Sequence, residues 1–486
     1  MPFARQLRRA VAVGAVSAML LTAAPVAADP TDAHSPPSPT APCDAISPVA
    51  FPCVAIGKFG DAVNAECRRV GIPDKLCRFP LAPRVTGAAR DAYVRSWVHR
   101  TAQFQYELGD PLPLRQAQWI GTHNSFNSPS DGLTISHIDS NQQLTLPQQL
   151  DIDVRSLELD LHYIGRLARL GAPGVTVCHG LSAQNNNLGC TNEPLLTKVL
   201  PQIANWLNAP GHTQEVILLY LEDGLDNSEA YASTVSALDH ALRRPDGSSL
   251  IFRPDPSRRA ANGCVQLPPD LSRHDVRASG AQIVIVGSCA PDWSSAVFNW
   301  GGVEVESGST SRYQSYPTCD AVYSPAVYAT HLVRYFEDST LVSALVDPNR
   351  PPANPDALTP QKAQDMTRCG VNLFGFDQLL PEDGRIQASL WSWAPNEPRG
   401  GAGSCALQGA DGRWVAARCS DPHRAGCVDT AGNWTVTPSP VPFAAAPAAC
   451  TAIGAQFGLP RTGVQNSRLR AAAETAGDAW VQYTIA

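Results

Sequence analysis

The sequence predicts an α/β fold: a TIM-type (β/α)8 barrel over residues 113–387, then a small disulfide-containing domain over 388–486. Three observations predict it. From about residue 116, short apolar and β-branched runs alternate with helical stretches, as in a parallel sheet wrapped in helices. Polar residues fall at the carboxyl ends of these runs, where active sites of parallel barrels are built. Beyond residue 387 the pattern changes to spaced Trp and Cys.

The chain opens MPFARQLRRAVAVGAVSAMLLTAAPVAADP, with Arg5, Arg8 and Arg9 ahead of an apolar stretch that ends in small residues. This reads as a signal peptide over 1–28, cut after Ala27 or Ala28. Residues 29–42 form a Pro/Ser-rich tail expected to be disordered. Residues 43–112 carry four cysteines and one expected helix through DAYVRSWVHRTAQFQYEL, packing against the barrel. WIGTHNSF, VRSLELDLHYI, VTVCHG and EVILLYLED each contain a strand, LLTKVLPQIANWL and SEAYASTVSALDHALRR are amphipathic helices, and QIVIVGSC is a later strand. The Pro-, Ser- and Gly-rich stretch 253–320 is expected to form long loops over the active face, and VNLFGFDQL the last barrel strand. No run after the leader is long enough to span a bilayer, so a soluble, secreted protein is expected.

Net charge is −7, and −10 once the three leader arginines leave (−7 − 3), since residues 1–28 hold no acid. That balance disfavours nucleic acid as a partner, and also tight docking on anionic lipid. All fourteen cysteines lie beyond the leader, and an even number in an exported chain reads as a disulfide framework rather than a nucleophile or metal cluster. Proximity suggests Cys178–Cys190, Cys264–Cys289, Cys319–Cys369, Cys405–Cys419 and Cys427–Cys450, with Cys43, Cys53, Cys67 and Cys77 pairing among themselves.

Six residues carry the chemistry. His123 and Asn124 follow the first strand, Glu158 and Asp160 lie on the second, His179 ends VTVCH, and Glu222 closes EVILLYLE. Glu158 and Asp160 are two apart, so on a strand they face the same way. Two histidines can move protons; three carboxylates and an amide oxygen suit a hard divalent cation. Asp377, in FGFDQL, is placed to orient a histidine across the barrel or to serve as a structural strand-end carboxylate. Arg155 is a candidate phosphate contact, or the partner of a helix carboxylate.

WIGTHNSF, QQLDIDVRSLELDLHY, VCHG and EVILLYLED, in that order, resemble the X region of phosphatidylinositol-specific phospholipase C over roughly residues 117–223. The resemblance implies His123 and His179 as a catalytic pair. It implies Asn124, Glu158, Asp160 and Glu222 as ligands of a calcium ion, because the metal-independent branch carries an arginine on the second strand where this chain has Glu158 and Asp160. It further implies attack of an inositol 2-hydroxyl on phosphorus, loss of diacylglycerol, and transient contact with a membrane surface. SLWSWAPNEPRGGAGSC…GRWVAARC…AGC resembles the second half of a C-type-lectin-like domain, and WTVT…AAC…AWVQY its first half, as in a circular permutation. Arg399 after Glu397-Pro398, and Val415-Ala416 after Trp414, depart from the sugar-binding pattern.

Only four lysines are present (Lys58, Lys75, Lys198, Lys362), none beside a catalytic strand end, which favours an unphosphorylated inositide or another diester over polyphosphorylated lipids. Two other classes remain: a related barrel phosphodiesterase acting on glycerophosphodiesters or sphingolipids, and a non-catalytic secreted binding protein that uses the C-terminal domain.

Overall fold

A computed structural model of the chain describes residues 87–485, except 129–139, 166–173, 180–189, 191–192, 307–313, 320–324, 338–357 and 382. The leader, the Pro/Ser-rich tail and Cys43, Cys53, Cys67 and Cys77 lie outside the described residues. The single helix expected at 91–108 is two: α1 (Gly87–Val94) and α2 (Trp97–Leu108). They part at Ser96, whose hydroxyl accepts the His99 N–H at 3.1 Å and so starts a new helix.

The barrel strands follow. β1 (Trp119–Thr122), α3 (Leu146–Leu150), β2 (Ser156–Ile164), β3 (Gly174–Val177), α4 (Leu196–Leu207), β4 (Ile217–Gly224) and α5 (Ser228–Ala241) form the first half. β5 (Ile251–Phe252), α6 (Arg273–Ala278), β6 (Ile283–Gly287), β7 (Phe298–Asn299), β8 (Glu304–Glu306), α7 (Pro325–Thr330), β9 (Leu332–Phe336), α8 (Pro360–Cys369), β10 (Leu373–Phe376) and α9 (Gly384–Ser389) complete it. The sheet is parallel and curled, in the order β5-β6-β4-β2-β1-β10-β9-β8, with β7 also on β6. Its ladder is not continuous between β7 and β8; a bridge from Gly301 to Glu304 spans the turn that joins them. The stretch 253–320 therefore contributes short strands to the barrel wall as well as loops. β3 differs from the expected parallel strand: it runs antiparallel to β2, pairing Val177 with Leu161.

A two-residue alternation decides what faces where. Leu157, Leu159, Ile217, Leu219, Leu221, Ile283 and Ile285 join the core under the helices, with Leu200 and Ile203 of α4 and Leu238 of α5. Trp119, Leu218, Val284, Val286, Phe298, Leu332 and Leu373 fill the barrel interior. Glu158, Asp160, Glu222, Arg334 and Asp377 have the interior parity. At Gly375 a Cβ would collide with the inward ring of Phe336, so only glycine lets β10 pass beside it.

The C-terminal domain holds β11 (Cys405–Gln408), β12 (Trp414–Ala417), β13 (Gly426–Val428), β14 (Trp434–Val436), α10 (Ala446–Thr451), β15 (Gln456–Phe457), α11 (Gly463–Ala472) and β16 (Ala479–Thr484). Its strands form two antiparallel sheets, ordered β12-β11-β16 and β14-β13-β15. All five disulfides suggested by spacing within the described residues are present.

α2 joins this domain to the barrel. Phe104 packs against Trp393, Trp414 and Tyr483 at centroid distances of 5.6, 5.9 and 5.1 Å. Gln105 accepts the backbone N–H groups of Trp391 and Ser392 at 2.7 and 2.9 Å, and Arg461 donates to the Leu108 carbonyl at 2.8 Å. Opposite, Tyr106 donates to the Val216 carbonyl at 3.0 Å, just before β4. A truncation after Gln387 removes the aromatic face that covers Phe104 and Leu108, where each large side chain is worth about 1.5–3 kcal/mol when fully buried. The truncated chain is expected to aggregate or melt well below the full chain in a thermal scan. A soluble barrel with an unchanged melting temperature would disprove this supporting role.

Candidate active site

The turn after β1 builds the first part of the site. His123 donates its backbone N–H to the Phe376 carbonyl of β10 at 3.2 Å, which fixes the turn against the last strand. Asn124 follows with φ of +46°, a left-handed conformation that asparagine tolerates better than most residues. That twist aims the Asn124 backbone N–H at Glu158 Oε2, 2.9 Å away. Ser125 then ties the turn to β2: its N–H donates to the Glu158 carbonyl at 3.1 Å, and its hydroxyl accepts the Glu158 N–H at 2.9 Å. Gln142 clamps the carbonyls of His123 and Phe376 at 2.7 and 2.8 Å.

The His123 imidazole lies between two sets of acids. Nδ1 is 3.2 Å from Asp377 Oδ1, and Nε2 is 3.8 Å from Glu158 Oε2. Asp377 is fully buried and is positioned from several sides. Asn141 donates to Oδ1 at 3.1 Å, the Asp377 N–H donates to Glu337 Oε2 at 3.1 Å, and Arg385 donates to the Asp377 carbonyl at 2.7 Å while ion-pairing with Glu337. A carboxylate on Nδ1 keeps the proton there, so that Nε2 is the nitrogen that exchanges protons at the mouth. Burial alone would lower the pKa of His123, but Asp377, Glu158 and Asp160 outweigh it and hold the imidazole well above its ordinary value.

Glu158, Asp160 and Glu222 bring carboxylate oxygens within 4.8 Å of one another. Parallel register sets Asp160 beside Glu222. Burial, with Glu222 adding repulsion, pushes Glu158 up to about 7 against the opposing pull of His123. Burial, Glu222 and Glu158 likewise raise Asp160 well above the carboxylate range. The cluster is short of positive charge, and hard oxygen donors this close fit a divalent cation. Asn124 completes the set. One amide atom lies 3.1 Å from His123 Nε2, and the other lies 2.7 Å from Asp160 Oδ2. The nitrogen belongs against Asp160 when the acids stand alone; the reverse orientation turns an oxygen towards them as a fourth donor.

His179 lies half-buried just after β3. The neighbouring Cys178 is bonded to Cys190 and donates its N–H to the Asp160 carbonyl at 3.1 Å, so the histidine segment is tied to the acid strand. That segment follows a strand paired antiparallel with β2, so it comes from a hairpin rather than from a parallel barrel strand of its own.

Arg155 is not at the mouth, which corrects its reading as a phosphate contact. It shares the outward parity of Leu157 and precedes β2, at the opposite end of the barrel. There it pairs with Glu215 through two bonds of 2.8 and 2.9 Å and lies 4.8 Å from the Trp206 ring.

Sequence reasoning missed Arg334 of β9. Its guanidinium is inside the barrel, bonded to Glu304 at 2.9 Å and set over the rings of Phe336, Trp300 and Tyr220 at 4.7, 5.4 and 5.5 Å. Its charge lowers the pKa of Glu158. The alternation in LVRYF, with Arg334 between two inward apolar residues, was the available signal. Glu337 and Arg385, which hold Asp377, carried none.

A sequence profile of the family described as "Rv2075c PI-PLC-like domain" matches residues 78–383, covering α1, α2 and the barrel strands. Two curated relatives from Mycobacterium tuberculosis are each 71% identical over 485 residues and covered in full, as is this chain. They are "Uncharacterized protein Rv2075c" of strain H37Rv and "Uncharacterized protein MT2135" of strain CDC 1551. Among solved structures, phosphatidylinositol-specific phospholipase C from Listeria monocytogenes aligns at 17% identity and TM-score 0.38, over 59% of this chain and 98% of its own. The F249X mutant of the Staphylococcus aureus enzyme aligns at 12% identity and TM-score 0.38, over 60% and 99%. Profile match and full-length identity together place the chain: it belongs to the Rv2075c PI-PLC-like domain family.

Proposed function

We propose that the chain is a phosphodiesterase of the phospholipase C type that cleaves phosphatidylinositol or a close diester, with calcium held by Asn124, Glu158, Asp160 and Glu222. The carrying observation is that an Asp-oriented histidine and three clustered carboxylates share one barrel mouth. Membership of a family described as PI-PLC-like supports the same reading. Disulfides and the leader-like opening support secretion, and no helix among the described residues is long and apolar enough to cross a membrane.

His123, oriented by Asp377, takes the proton of the attacking 2-hydroxyl at Nε2 once that nitrogen has lost the proton that the surrounding carboxylates favour. His179 returns a proton to the leaving glycerol oxygen, so the P–O bond to diacylglycerol breaks as the bond to the ring oxygen forms. When bound, the calcium ion supplies positive charge to the phosphoryl oxygen and acidifies the attacking hydroxyl. Asp377 stabilises the imidazolium that forms, and the Cys178–Cys190 bridge restrains the segment bearing the acid.

Phosphorus NMR of phosphatidylinositol incubated with the full chain, with and without calcium, tests the reading. A cyclic inositol phosphate signal that needs calcium is expected. Glycerophosphodiester cleavage, or no turnover of any diester, would reject it in favour of the related phosphodiesterase or the binding protein.

A further inference from the structure

A cleft of about 270 Å³ lies between the flank of the barrel and the C-terminal domain. Arg368, at the end of α8, forms its barrel side; Asp411 and Arg413 of the β11–β12 turn and Arg470 of α11 face it. α8 leads into β10 from the amino-terminal end of the sheet, so this cleft is at the barrel's base, away from His123 and the acid cluster.

Arg368, Arg413 and Arg470 are half-buried residues, and among the described residues none has a carboxylate at ion-pair distance. Several other half-buried or buried arginines meet a carboxylate, as Arg155 does Glu215, Arg277 Asp110, Arg334 Glu304 and Arg385 Glu337, while Arg244, Arg273, Arg424 and Arg461 are held by carbonyl or amide oxygens. In the cleft, Arg470 makes only two long bonds of 3.4 Å to the Ala473 and Gly477 carbonyls, and Arg368 rests 5.8 Å from the Tyr316 ring centroid. The one acid in the lining, Asp411, is exposed and accepts the Arg413 backbone N–H at 2.9 Å rather than its guanidinium. Burial lowers the pKa of Arg413; Asp411 opposes the shift and Arg368 adds to it. A net acidic chain thus gathers three half-buried arginines around one small space beside a single exposed carboxylate, and Arg368 disfavours the charge on Arg413, an arrangement that an incoming anion would relieve.

We propose that this interdomain cleft is an anion site that takes a phosphate group, carried on a small molecule or on a lipid headgroup. Guanidinium forks match the oxygens of a phosphate, and its double charge balances three cations better than a single carboxylate would. Trp391 and Tyr316 line the same space and give the body of such a ligand apolar faces to rest on. The site is separate from the proposed reaction and stands whether or not that reaction occurs.

The test is calorimetric titration of the full chain with inorganic phosphate and with glycerol phosphate at fixed ionic strength, alongside flotation with phosphatidylcholine vesicles containing phosphatidylglycerol. Arg368→Gln and Arg470→Gln are the informative variants. The first loses no hydrogen bond and the second only two long ones, whereas Arg413 also holds the Trp393 and Gln387 carbonyls and its loss would loosen the domain contact. Binding in either arm that weakens about tenfold or more in both variants, with the melting temperature kept, is expected. Binding of the soluble phosphates assigns a free ligand; arginine-dependent flotation without it assigns a headgroup. Absence of binding in both arms, or binding that both variants retain, overturns the site.

Discussion

Replacing His123 or His179 with alanine is expected to lower phosphodiester turnover about a hundredfold or more each, with the fold kept. If the two act in one reaction as proposed, the double variant should be little worse than the worse single one. A substrate with an activated leaving group separates their roles. It needs no acid, and should rescue His179→Ala but not His123→Ala. If rescue follows His123 instead, the base and acid are exchanged; if neither variant is rescued, His179 is not the acid. Asp377→Asn should fall between these extremes. It keeps the shape beside Nδ1 but loses the charge that stabilises the imidazolium, while Asn141, Glu337 and Arg385 continue to hold the backbone and side chain in place. The check is turnover alongside a thermal scan, since Asp377 is fully buried and a badly paired replacement there would also cost stability.

The barrel interior was legible because a two-residue period is a strict rule: once Glu158 faces inward, Asp160 must as well, and register then sets Glu222 beside it. The same rule, applied to Arg155, would have sent it outward with Leu157, where it lies. The direction of β3 was not marked by its residues, because a short apolar run reads alike in parallel and antiparallel pairs. Its spacing did hold a signal. Ile164 and Gly174 are too close for the crossover of a dozen or more residues that a parallel strand needs, so a hairpin was the only return. The break at Ser96 was readable as a cap, but only if the apolar periodicity on either side was not taken as one helix. Glu337 and Arg385 were beyond reach: a carboxylate and an arginine 48 residues apart become partners only once the strand end they brace is placed.

Chelation is expected to abolish turnover, and added calcium to restore it, because Glu158, Asp160 and Glu222 crowd their oxygens within 4.8 Å with too little positive charge among them. Binding should also be visible without any substrate. A cation that binds the folded chain alone stabilises it by about 2.7 kcal/mol at a hundredfold excess over its dissociation constant, a clear rise in melting temperature. Glu158→Gln and Asp160→Asn each remove a charged donor and should eliminate that rise. They should leave the metal-free protein as stable as before or more so, since each relieves repulsion between buried acids. The dependence on pH has a definite sign. Glu158 is pushed up to about 7, so below that pH it carries a proton that the cation must displace; apparent affinity should fall as pH drops through 7 and level off above it. A melting temperature indifferent to calcium at pH 8, together with full turnover in excess chelator, would mean that the acids serve His123 alone. In that case Arg334, beneath Glu158, becomes the positive charge around which the mouth is built.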